Sequence, residues 1–257
     1  MPTRAPSGAR GVIEYDGTNF AGSQRQPNAR TVQGELEEVL NRLTGERITI
    51  RFAGRTDAGV HATGQVVAFV LPAEFGGTRE AWAETRRLLN AALPRDVRFR
   101  SLRSARPGFD PRRAAVARVY RYRIRSGGDG RPTDRHRTLE IPDRPDVAAM
   151  QAAAARLVGE RDYAALGSDV RGSTVRHLSE VTVVAHGTLI EIRVTGNAFL
   201  KRMVRSLVAV LLEVGRGRLA ADEVEAILVR RERALHGRAV PALGLTLERV
   251  IYQGRNR

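Results

Sequence analysis

Asp57 stands in the run "FAGRTDAGVHATGQ" (residues 52–65), two positions after Arg55, with Gly54 and Gly59 on either side. A carboxylate in that setting has two readings. As an Asx-turn or loop cap it only organises backbone. As a nucleophile or general base it needs a fixed geometry, little bulk around it and a reason to stay ionised. Burial raises the pKa of an aspartate from about 3.9, and a neighbouring guanidinium opposes that rise. Arg55 is such a neighbour, and the loop combines all three requirements.

A second group of candidates lies in "RVYRYRI" (118–124). Strand alternation puts Arg118, Tyr120, Tyr122 and Ile124 on one face, and Val119, Arg121, Arg123 and Arg125 on the other. Either the tyrosines are core beneath a solvated basic face, or a tyrosine ring stacks on a nucleobase while arginines track phosphates. A third candidate is the run 199–214, expected as a helix. Lys201, Arg202, Arg205 and Glu213 form a polar stripe on its otherwise apolar cylinder. Spacing alone leaves Arg205 on solvated surface.

Other chemistries lack their residues. The absence of cysteine excludes disulfides and thiolate zinc sites, and the five histidines (His61, His136, His177, His186, His236) show no ligand spacing. No metal and no cofactor is expected. The only lysine, Lys201, follows "NAFL" instead of a glycine loop, so there is no phosphate-binding P-loop. "GRGRLA" (215–220) follows a helix, not a strand, and reads as a helix terminator.

The 257 residues carry 43 Lys+Arg against 28 Asp+Glu, a formal charge of +15. Genome composition can favour arginine over lysine, but it does not explain the excess over acids, which fits a nucleic-acid partner. No apolar stretch approaches the roughly 18–20 residues of a membrane span. The segment "MPTRAPSGAR" lacks the apolar core of a signal peptide. A cytoplasmic location is expected, with no membrane association.

These candidates must be positioned by elements that the periodicity outlines. "ARGVIEYDG" reads as a strand. "TVQGELEEVLNRLTG" reads as a helix capped by Thr31 and stopped by Gly45. "RITIRFAG" and "GQVVAFVLP" are strands flanking the Asp57 loop, "TREAWAETRRLLNAALP" is a helix and "DVRFRSLRSA" a strand. That order, β-α-β-β-α-β, is the split βαβ or ferredoxin-like arrangement.

The order recurs from the "RVYRYRIRS" strand onward, through a short strand at "TLEIP", a helix at "PDVAAMQAAAARLVG" and a hairpin around His186-Gly187. Helices at "FLKRMVRSLVAVLLEVG" and "DEVEAILVRRERA" and a final strand at "LTLERVIYQ" complete it. The expected fold is α+β: two ferredoxin-like halves, residues 1–107 and 108–257, divided at "RPGFDP", whose antiparallel sheets join around a central basic cleft.

The motifs together resemble one known family. "GRTDAGVHATGQ" resembles the signature loop of the tRNA pseudouridine synthase A family, whose catalytic aspartate falls on Asp57. "EYDGTNFAGSQRQPNARTVQGELE", "ARVYRYRI", "GNAFLKRMVRSLVAVLLEVGRG" and "PALGLTLERVIY" are similar to its other blocks, in the same order. Departures are Ser23 in place of a usual tryptophan, Asp110 and Arg113 around Arg112, Tyr163 for phenylalanine and Ala209 for a helix glycine.

The resemblance implies isomerisation of uridine to pseudouridine at positions 38, 39 and 40 of tRNA anticodon stem-loops, by a homodimer. The C1′–N1 bond breaks and C1′–C5 forms, with no redox cofactor. Asp57 would attack C1′ or C6, or remove the 2′ proton, and Arg205 would pair with it. Arg55 would fill the space of the extruded uridine, and Tyr120 would pack on the flipped base and offer its hydroxyl to the C5 proton. Two rival readings are the same chemistry on another RNA, and a non-catalytic RNA-binding protein.

Overall fold

The computed structural model describes residues 6–128, 130–169, 172–231 and 234–253. Contacts divide the chain into two compact units, Met1–Val116 with Leu247–Arg257, and Ala117–Thr246. The sequence placed the boundary at 107/108 and the last strand in the second half. Three contacts draw that strand into the first unit. The Arg10 guanidinium lies 4.3 Å over the Tyr252 ring, Phe109 packs on the same ring at 5.6 Å, and the Tyr252 hydroxyl donates to the Pro111 carbonyl at 2.9 Å.

The first unit holds strands β1 (Ser7–Tyr15), β2 (Arg51–Phe52), β3 (His61–Leu71) and β4 (Val97–Ser104), with helices α1 (Val32–Thr44) and α2 (Arg79–Ala92). β1 pairs antiparallel with both β3 and β4, and β2 pairs antiparallel with β3. The sheet order is therefore β4-β1-β3-β2 along one end of β3, and the C-terminal strand, Leu245–Tyr252, also borders β3. Gly64 on β3 has no room for a side chain there, because a Cβ would land on the Glu248 carbonyl.

Helix α1 begins and ends where its sequence signals lie. Thr31 Oγ1 accepts from the Gly34 amide at 3.2 Å, and Gly45 closes the helix at φ 72°. Its buried face, Val32, Leu36, Val39 and Leu40, is part of the core, as are Ile13, Val67, Phe69 and Phe99 of the sheet.

"RITIRFAG" is the main departure from expectation, because only two of its residues are strand. The Ile48 amide donates to Asn41 Oδ1 at 2.7 Å and the Ile50 amide to Glu37 Oε1 at 2.9 Å. Side chains of α1 thus satisfy backbone groups that a ladder would otherwise pair, and the segment runs under the helix with Ile48 and Ile50 buried.

The second unit holds β5 (Ala115–Arg125, its first two residues in the first unit), β6 (Leu139–Glu140), β7 (Gly159–Asp162), β8 (Val175–His186) and β9 (Leu189–Gly196). Helices α3 (Val147–Ala155), α4 (Met203–Gly215) and α5 (Glu223–Arg230) complete it. The order is β5-β9-β8-β7, antiparallel throughout, with β6 added parallel to β5. β8 and β9 form the expected hairpin, with Gly187 at φ 62°. β7, "GERD", has no apolar alternation and was not legible.

Residues 232–233 of the expected last helix lie outside the described residues. Among the described residues no helix is long and apolar enough to cross a membrane.

Candidate functional site

The Asp57 loop is held from behind by residues distant in sequence. The Ser23 amide donates to the Thr56 carbonyl at 3.1 Å, and Ser23 Oγ accepts from the Thr56 amide at 2.9 Å. Thr56 Oγ1 shares a 2.8 Å hydrogen bond with the buried Tyr15 hydroxyl. Burial pushes that phenol up to about 12, against the opposing pull of its hydrogen bonds with Thr56 and Gln65. The backbone amide, carbonyl and hydroxyl of Thr56 are all engaged, one residue before Asp57.

The far side of the loop is fixed as well. Gln65 Nε2 donates to the Gly54 carbonyl at 2.8 Å, and the Gly59 amide to the Phe20 carbonyl at 3.3 Å. His61, buried, accepts from the Gly17 amide through Nδ1 at 3.0 Å.

Glycines of a distant segment approach the loop closely, whereas Gly54 within it does not need to be glycine for space. A Cβ at Gly54 would meet nothing within 4 Å. A Cβ at Gly22, φ +102°, would sit 2.9 Å from the Thr56 carbonyl, and one at Gly17 would land on the Val60 carbonyl. The glycines of the "YDGTNFAG" segment allow it to lie against the loop.

Asp57 is half-buried and Arg55 exposed. Arg55 makes no ion pair or hydrogen bond among the described residues, so the guanidinium two positions away does not clamp the carboxylate. Ser23 is 1% exposed, so this departure from the family pattern is a loop support and not a surface contact. Tyr163, another departure, is fully buried with its hydroxyl donating to the Leu157 carbonyl at 2.5 Å. Asp110 accepts from the Arg112 and Arg113 amides at 2.8 and 2.9 Å, closing a turn.

Tyr120 and Arg205 belong to the second unit. Tyr120 is 7% exposed and meets Phe199 edge to face, ring centroids 5.1 Å apart. Tyr122, on the same face, is core: its hydroxyl donates to the Pro241 carbonyl at 2.8 Å. Burial pushes the Tyr122 phenol well above its ordinary value, and the nearby Arg205 charge opposes the shift.

Arg205 is half-buried and donates through Nε to the Val240 carbonyl at 2.7 Å, so it is not the solvated surface residue its spacing implied. The helix carrying it is also shorter at its start. Lys201 and Arg202 form a turn, with Arg202 at φ 62°, and α4 begins at Met203. The other face of β5 is not a free basic surface either. Arg121 and Arg123 both reach Glu191 Oε1 at 2.9 Å. Burial pushes the Glu191 carboxyl up, and the two arginines more than offset it, leaving it below the ordinary carboxylate range.

Sequence reasoning missed Tyr15, Ser23, Gln65 and Phe199 as neighbours of the candidates. No spacing rule marks them, since each reaches its partner across 41, 33, 11 and 79 positions.

The family profile described as tRNA pseudouridine synthase matches residues 12–108 and 153–253. The tRNA pseudouridine synthase A of Chloroflexus aurantiacus is 44% identical over 247 residues, covering 94% of this chain and 87% of that protein. That of Geobacter sulfurreducens is 40% identical, covering 93% and 97%, and that of Acetivibrio thermocellus 38% identical, covering 94% and 98%. The chain belongs to the tRNA pseudouridine synthase family, a family of isomerases.

Proposed function

We propose that this synthase converts uridine to pseudouridine at positions 38, 39 and 40 of tRNA anticodon stem-loops, with Asp57 as its catalytic carboxylate. The observation that carries the assignment is the Asp57 loop. There an ionisable side chain, half-buried, follows a residue whose backbone amide, carbonyl and hydroxyl are all bonded. A reaction that swaps C1′–N1 for C1′–C5 moves a proton from C5 to N1 and changes no oxidation state. It asks the protein for an anchored carboxylate and a base pocket, not for a redox group.

Arg55, exposed beside it, is the group proposed to take the place of the extruded base, since a base in a stem must leave its stack before reacting. Tyr120, held edge-on by Phe199, and Arg205, steered by the Val240 carbonyl, are proposed as the other substrate-binding side chains. The β4-β1-β3-β2 order of the first unit, with α1 and α2 as its crossovers, supports the reading of that unit as ferredoxin-like. The protein is proposed to act in the cytoplasm, as a homodimer of 28.2 kDa chains.

The test is tritium release from tRNA carrying [5-³H]uridine, without cofactor or added metal, followed by mapping of the modified positions. The wild type should release tritium from positions 38–40 and Asp57→Ala should release none above background. Release mapped elsewhere in tRNA would overturn the site assignment, and release by Asp57→Ala would overturn the role of the aspartate.

A further inference from the structure

We propose that Ser23 is a positioning residue for Asp57, acting through the backbone of Thr56. The proposal rests on the reading of Asp57 as the catalytic carboxylate. Ser23 is buried at 1% exposure, so its hydroxyl cannot serve by touching a macromolecular substrate. What it touches is the peptide before the aspartate. Its Oγ accepts from the Thr56 amide and its own amide donates to the Thr56 carbonyl, at 2.9 and 3.1 Å.

The two bonds act on different torsions. The first restrains the amide that sets φ at Thr56. The second restrains the carbonyl of the Thr56–Asp57 peptide, whose plane aims the Asp57 side chain. Ser23 is in turn anchored to a rigid element. The Gln33 amide donates to the Ser23 carbonyl at 2.9 Å and the Val32 amide to the Gly22 carbonyl at 3.2 Å. These are first-turn amides of α1, groups that no bond within the helix can satisfy. Orientation therefore passes from the capped end of α1, through Ser23, to the loop.

Only the side-chain bond is lost in Ser23→Ala. The backbone bond to the Thr56 carbonyl, the Tyr15–Thr56 bond and the Gln65–Gly54 bond all remain, so the loop should loosen without the unit unfolding. A reacting group displaced by about 1 Å can cost on the order of 100-fold in rate.

The experiment measures kcat and KM for tRNA, thermal midpoint and hydrogen exchange of the Thr56 amide in wild type, Ser23→Ala, Ser23→Thr and Asp57→Ala. Ser23→Ala should lower kcat about 10- to 100-fold with KM within about twofold, and its Thr56 amide should exchange faster. Ser23→Thr keeps the acceptor and should restore most of both.

Ser23→Ala with near-normal kcat, beside an inactive Asp57→Ala, overturns the positioning role and leaves the aspartate's role standing. Loss of kcat with an unchanged Thr56 exchange rate also overturns it, as does equal loss in both serine variants together with a collapsed thermal midpoint. Activity retained in Asp57→Ala overturns both readings, while amide exchange still reports the Ser23–Thr56 bond independently.

Discussion

Tyr120 and Tyr122 share one strand face but sit in different surroundings. Tyr122, two residues on, has its hydroxyl consumed by the Pro241 carbonyl and its ring against Gly244, where a Cβ would come within 2.7 Å of the ring. Tyr120 is stacked edge-on by Phe199 at its ring. If the ring carries its role in base packing, Tyr120→Phe should keep turnover within about threefold while Tyr120→Leu loses about 10-fold or more, a stacking contribution of roughly 1–3 kcal/mol. If its hydroxyl takes the C5 proton, Tyr120→Phe should fall about 100-fold or more. Tritium release by both variants, at saturating tRNA, separates the two roles.

Elements are where local signals and tertiary demands compete. Thr31, Gly45, Thr78 and Asp146 each cap or stop a helix as their types imply, because capping acts over three or four residues and is visible in sequence. The stretch 47–50 failed as a strand because Asn41 and Glu37, 7 and 13 positions earlier, accept from the Ile48 and Ile50 amides. The loop-supporting glycines are similarly non-local, and they yield a clear contrast. Gly22→Ala forces a side chain to φ +102° and against the Thr56 carbonyl, and should cost about 1–2 kcal/mol or more of unfolding free energy. Gly54→Ala, with open space around it, should cost less than about 1 kcal/mol. Urea unfolding of the two variants checks the order, and equal costs would refute it.

At the scale of the whole molecule the charge of +15 is the dominant physical fact. Several arginines that look available in sequence are already spent on acids: Arg30 on Asp96 and Glu35, Arg216 on Asp143, Arg218 on Glu213, and Arg121 with Arg123 on Glu191. The net charge of +15 already counts those pairs, and it suits a polyanionic partner. If about six arginines each replace a phosphate counterion, tRNA affinity should fall about 1,000-fold between 50 and 200 mM salt. Filter binding across that range tests this, and a flat response would show that the arginines do not contact phosphates.

Sequence by itself determined most element types, both ends of α1, the hairpin at Gly187 and the candidacy of Asp57, because periodicity, caps and turn chemistry act within a few residues. It also carried the family, since the motifs stand in order along the chain. Only the tertiary structure decided which polar groups support the loop, that Arg205 is steered by Val240 and not solvated, that Arg55 makes no ion pair among the described residues, and that the last strand groups with the first unit. Those outcomes depend on hydrogen bonds that burial makes obligatory, between residues that no spacing rule brings together.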